Sequence, residues 1–97
     1  MNESALTREC VRKLNKLPLC FAFRVHGGPH QRAGTLDING CFEGAFFAIE
    51  MKLPGKKRNL TDIQAATIKK VREAGGLTGV ATTYAECLEI IGYEDGW

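Results

Sequence analysis

The sequence predicts an α/β domain in which helices flank a mixed sheet, in the order α-β-β-β-α-β-α. Three observations carry this. Apolar residues recur at helical spacing near each end of the chain. They alternate with period two through residues 35–53, on either side of Glu43-Gly44. A strand, a helix and a short apolar strand then follow one another, and such βαβ units cross over right-handed and make their strands parallel. At 97 residues the chain is one domain, 1–97, with room for one core. Its 44% hydrophobic and 25% charged content is that of a globular protein, and no apolar run is long enough to span a bilayer.

The first helix is expected from Glu3 to about Leu17, with Leu6, Cys10, Leu14 and Leu17 on its buried stripe and Pro18 as its stop. Arg8, Arg12, Lys13 and Lys16 lie mostly off that stripe. Leu19 to Val25 follows as a strand, with Phe21, Phe23 and Val25 on one face and Cys20, Ala22 and Arg24 on the other. The loop His26 to Gly34 is rich in glycine, and Arg32 within it can pair with a phosphate. His26 and His30 are four apart, a zinc spacing only on a helix, which the glycines and proline between them exclude.

Thr35 to Phe42 and Ala45 to Leu53 read as a hairpin. With its tip at Glu43-Gly44, Asp37 stands opposite Glu50, their Cβ atoms about 5 Å apart. A tip at Asn39-Gly40, the stronger hairpin dipeptide, carries Asp37 away from Glu50. Alternation places Phe46, Ala48, Glu50 and Lys52 on one face, and Phe47, Ile49, Met51 and Leu53 on the other. Beyond the basic loop Pro54 to Asn59, Thr61 caps a second helix that runs to about Ala74. Leu77 to Thr82 is a strand, and Thr83 with Glu86 forms a capping box for a last helix ending at Ile91.

Charged groups ending an apolar strand are costly to bury. Two facing carboxylates repel by about 4 kcal/mol at 4 Å and an effective dielectric near 20. A divalent cation offsets that repulsion, and Mg²⁺ or Mn²⁺ can take oxygens from Asp37, Glu50 and the backbone carbonyl of Met51. Lys52, two residues on from Glu50, is placed to orient or deprotonate a water, or to neutralise the transition state. The expected chemistry is hydrolysis of nucleic-acid phosphodiesters. Glu-x-Lys alone is more often a solvated strand edge, and Gln64 reads equally as the closing residue of a Thr61 capping box.

The formal charge of +2 does not argue for nucleic acid, but Lys56, Lys57 and Arg58 cluster in one loop. Cys10, Cys20, Cys41 and Cys87 form no CxxC pair. With no signal peptide ahead of them, they are expected to be reduced, partly buried thiols of a cytoplasmic protein.

Four blocks in order and spacing carry a resemblance. They are Gly34-Thr35-Leu36-Asp37-Ile38, Phe47-Ala48-Ile49-Glu50-Met51-Lys52-Leu53-Pro54-Gly55, Leu60-Thr61-Asp62-Ile63-Gln64 and Ala74-Gly75-Gly76. Together, from about Glu3 to Ile91, they resemble the VRR-NUC domain of the PD-(D/E)xK nuclease superfamily. The resemblance implies an αβββαβ, restriction-endonuclease-like core and a metal-dependent nuclease. It implies Asp37 and Glu50 as metal ligands, Lys52 as the catalytic lysine and Gln64 as the active-site glutamine. Glu3 matches the acidic residue that reaches the metal through water. Leu36 stands where the family usually has proline, which supplies no ligand. Stand-alone relatives are phage and bacterial proteins that act as homodimers on branched DNA, including four-way junctions. A non-catalytic nucleic-acid-binding module on the same fold is the alternative expectation.

Overall fold

A computed structural model describes residues 1–25 and 33–94. Helix α1 (Glu3–Leu14) is followed by strands β1 (Cys20–Arg24), β2 (Ile38–Phe42) and β3 (Ala45–Met51), then α2 (Asp62–Glu73), β4 (Leu77–Ala81) and α3 (Tyr84–Ile91). The strands form one sheet in the order β1-β2-β3-β4. The first three make an antiparallel meander, and β4 runs parallel to β3 after the α2 crossover. This is the α/β architecture expected from the sequence, a mixed sheet flanked by helices and compatible with an αβββαβ core.

The hairpin turns at Glu43-Gly44, with both residues at positive φ (50° and 85°) as a type I′ turn requires. Ile38 faces Ile49 and Asn39 faces Ala48. Asn39-Gly40 therefore lies within β2, and packing explains its glycine. A Cβ on Gly40 would meet the Phe21 carbonyl oxygen and the Phe47 ring, so only glycine lets these strands and that ring close up.

Helix α1 begins on Asn2, whose side chain accepts from the Ala5 N–H at 2.8 Å. It ends three residues earlier than its apolar stripe suggests. The Asn15 carboxamide binds both the N–H and the carbonyl of Ala22, each at 2.8 Å. Those groups face outward from the edge strand, so one side chain joins the end of the helix to β1 and closes part of an exposed edge. Lys16 and Leu17 continue only as i→i−3 turns. β1, β2, β3 and β4 are likewise shorter than the runs read from alternation, because pairing ends before the pattern does.

The two faces of the sheet hold separate clusters. Cys10, Leu14, Ile38, Phe47, Ile49, Met51, Cys87 and Ile91 form the core beneath α1 and α3. Leu36, Ala48 and Ile68 form a smaller one beneath α2. The period-two assignment of β3 is therefore correct. Helix α2 covers the β3–β4 side of its face, leaving Phe21, Phe23 and Phe46 exposed. All four cysteines are free; Cys10 and Cys87 are buried and Cys20 half-buried, whereas Cys41 is exposed. Among the described residues no helix is long and apolar enough to cross a membrane.

At α3, half of the expected capping box forms. Thr83 accepts from the Glu86 N–H, but the Glu86 carboxylate turns to the Thr82 N–H and hydroxyl, at 2.7 and 2.6 Å. Lys57 supplies a third contact at 2.8 Å and draws the carboxylate outward.

Candidate metal centre

The register that turns the chain at Glu43-Gly44 also brings Asp37 beside the end of β3. Asp37 precedes β2 and keeps its pairing direction, its carbonyl accepting from the Val25 N–H at 2.8 Å. Its Oδ2 accepts from the Met51 N–H at 2.9 Å, which fixes the carboxylate against the end of β3. In a strand the N–H and C=O of one residue point the same way. The Met51 carbonyl thus shares the strand edge that meets Asp37, while its side chain lies in the core below.

Glu50 is 2% exposed, the one buried carboxylate among the described residues. Its Oε2 accepts from the Gln64 Nε2 at 2.9 Å and faces the Lys52 Nζ at 3.5 Å. Its Oε1 is buried without a partner. Burial, and then the nearby Asp37 carboxylate, push the Glu50 pKa up to about 7 against the opposing pull of Lys52. Helix α1 brings a third carboxylate. One oxygen each from Glu3, Asp37 and Glu50 lies within 4.8 Å of the others.

A divalent cation fits this arrangement on two grounds. Three carboxylates converge with one lysine beside them, and a buried oxygen is left with an unused acceptor position that costs about 1–3 kcal/mol. The donor set is entirely hard oxygen, which suits Mg²⁺, Mn²⁺ or Ca²⁺ rather than a thiophilic metal.

Gln64 divides its carboxamide between the two roles expected of it. Its Oε1 accepts from the Thr61 N–H at 3.1 Å while Thr61 Oγ1 accepts from the Gln64 N–H, completing the capping box. The amide nitrogen is left for Glu50. Lys52 has a mostly buried side chain and is fixed by its own N–H to the Ala81 carbonyl at 3.0 Å. Asp37, Glu50, Lys52, Gln64 and Glu3 thus meet at one end of the sheet, with the Met51 backbone.

The cationic groups do not form one surface. Lys56, Lys57 and Arg58 are exposed in the loop after β3, but Lys57 is held by Glu86. On α1, Arg12 and Lys13 pair with Glu9 at 4.0 and 3.3 Å. Arg32, His26 and His30 lie outside the described residues. No family model matches the chain, and no curated protein matches it.

Proposed function

We propose that this protein is a divalent-metal-dependent deoxyribonuclease of the VRR-NUC kind. The observation that carries the reading is the unpartnered Oε1 of Glu50 within a three-carboxylate cluster that has a lysine at its side. A purely structural ion pair has no use for the second and third carboxylates, and a binding module has no use for the set.

Asp37 and Glu50 would hold Mg²⁺ or Mn²⁺, with the Met51 carbonyl completing the set and Glu3 joining through water. Such an ion supplies an acidified bound water and stabilises charge on the phosphoryl oxygens. Gln64 holds Glu50 in place through its amide. The Lys52 ammonium, beside Glu50, donates to the attacking water or to the phosphoryl oxygen that gains charge. Lys56 and Arg58, and Lys57 when released from Glu86, hold flanking phosphates together with Arg32.

The branched-DNA preference, the homodimer and a bacterial or phage-infected cytoplasm as its location follow from the resemblance to stand-alone VRR-NUC proteins. The test is to incubate labelled four-way junction, flap, duplex and single-stranded DNA with the protein in Mg²⁺, Mn²⁺ or EDTA, beside Asp37→Asn. Cleavage by the parent in metal alone, strongest on the junction, is the expected result. Uncut DNA in both metals, with DNA binding retained, would replace the nuclease by a binding module. Sedimentation of the free protein as a monomer would remove the paired-site arrangement for a junction.

A further inference from the structure

Two arginines from different elements meet at Ser4, the residue after Glu3. Arg24, half-buried at the end of β1, donates through Nη2 to the Ser4 Oγ at 2.6 Å, and Arg8 donates through Nη1 to the same oxygen at 3.2 Å. Ser4 follows Glu3 in the first turn of α1. Arg24 pairs with Ile38, the residue after Asp37, and Val25 pairs with Asp37 itself. The two arginines therefore belong to the helix that carries Glu3 and to the strand that pairs beside Asp37, with Arg24 on the sheet face that α1 covers.

Their electrostatics are unbalanced. Neither arginine has a carboxylate within 4 Å among the described residues, and Glu9, next to Arg8 in sequence, is already engaged by Arg12 and Lys13. Two like charges share a single neutral acceptor, which leaves most of their ten N–H donors for something else. Guanidinium geometry matches a tetrahedral oxyanion, and two forks converging from different elements can grip one from two sides.

We infer that Arg24 and Arg8, set by Ser4, form a phosphate-binding subsite for the nucleic-acid backbone next to the scissile position. The inference rests on the nuclease reading for the identity of its ligand. Arg24 and Arg8 bind the phosphate, and Ser4 positions them. The subsite differs from the loop cations in coming from β1 and α1 rather than from the segment after β3.

The experiment measures duplex DNA binding in Ca²⁺ across a salt series, for the parent, Arg24→Gln, Arg8→Gln and, as a control, Lys69→Gln on exposed α2. Each arginine variant is expected to bind about tenfold more weakly, the loss of a charge-assisted hydrogen bond. Each should flatten the plot of log affinity against log salt, by up to about 0.9 where the phosphate is released altogether, with Lys69→Gln close to the parent. Parental affinity and slope in Arg24→Gln overturn the subsite, as does a parent that binds no DNA.

Where Arg24→Gln fails to fold, the Nε–Hε NMR signals of the parent's Arg24 and Arg8 are titrated with inorganic phosphate. Joint shifts support the subsite, and no shift overturns it. The two readings separate cleanly. A protein that cuts nothing in Mg²⁺ or Mn²⁺ yet loses affinity in both variants keeps the subsite and loses the nuclease. A cutting parent with an unaffected Arg24→Gln loses the subsite alone.

Discussion

Glu50 and Glu86 each face a lysine, Lys52 at 3.5 Å and Lys57 at 2.8 Å, and their carboxylates titrate in opposite directions. Burial and the Asp37 carboxylate raise Glu50 to about 7. The Lys57 ammonium, with the hydroxyl and N–H of Thr82, lowers Glu86 to about 2. The side chain of Glu50 is 3% exposed and that of Glu86 29%. A lysine stabilises a carboxylate that water also solvates, but it does not by itself offset the removal of that water. The buried pair is therefore under electrostatic load that the surface pair does not carry, and an ion can relieve that load.

Replacing Glu50 gives the largest effect. Folded Glu50 holds its proton more tightly than the unfolded residue, whose ordinary value is 4.5. Stability therefore falls as pH rises between about 4.5 and 7, and the full cost, about 3 kcal/mol, is in place above that window. In EDTA at pH 8, Glu50→Gln should be more stable than the parent by up to about 3 kcal/mol in urea unfolding. Adding Mn²⁺ should raise the Tm of the parent and leave that of the variant unchanged. A less stable Glu50→Gln at pH 8 would break the contrast between the pairs.

Lys52→Ala comes next. It should bind DNA yet cut it at least about a hundredfold more slowly, as single-turnover rates in Mg²⁺ will show. Equal rates in variant and parent would end the role given to this lysine. The variant also removes the positive charge that opposes burial, so Glu50 should titrate higher still, readable from its carboxyl NMR signal in the metal-free protein.

Gln64→Ala separates the structural and site contacts of one side chain. Loss of its half of the capping box should cost about 1 kcal/mol in urea unfolding. Thr61→Ala should match that cost but leave cleavage closer to the parent, because the Glu50 contact belongs to Gln64 alone. Identical cleavage in both variants would assign Gln64 to the helix cap only.

The smallest effect belongs to the surface pair. Folded Glu86 binds its proton less tightly than the unfolded residue, so its stabilisation is present above pH 4.5 and is lost as pH falls through about 2. Lys57 is half-exposed, and solvent screening keeps the pair's worth below about 1 kcal/mol. Lys57→Ala should show a deficit of that size at low salt that shrinks in 1 M salt. A deficit that persists in salt would make the exposed pair resemble the buried one.

The element order was legible because periodicity reports which face of each segment is buried, and burial is what the sheet and helices were built around. The site was legible in part. Asp37, Glu50 and Lys52 stand at spacings that only one hairpin register brings together, and local turn preference points more strongly to Asn39-Gly40. The close approach of Phe21 and Phe47 settles Gly40 as a strand residue, and no local rule contains that contact. Lys57 read as a free cation because Glu86, twenty-nine residues away in the chain, reaches it only through the packing of α3. Nothing local singles out Arg24 on its strand, because its hydrogen-bond partner, Ser4, comes from α1.

The sequence by itself determined the α/β class, the order of elements, the split of β3 into two faces, the capped starts of α2 and α3, and the residue types that a metal centre needs. These depend on spacing along the chain, which folding does not change. Only the tertiary structure decided that Asp37 meets Met51 and Glu50, that Glu3 completes the cluster, that one oxygen of Glu50 is left without a partner, and which lysine is already paired. Those features are distances between residues far apart in sequence, and their energies turn on burial, which exists only once the sheet and its helices have closed over the site.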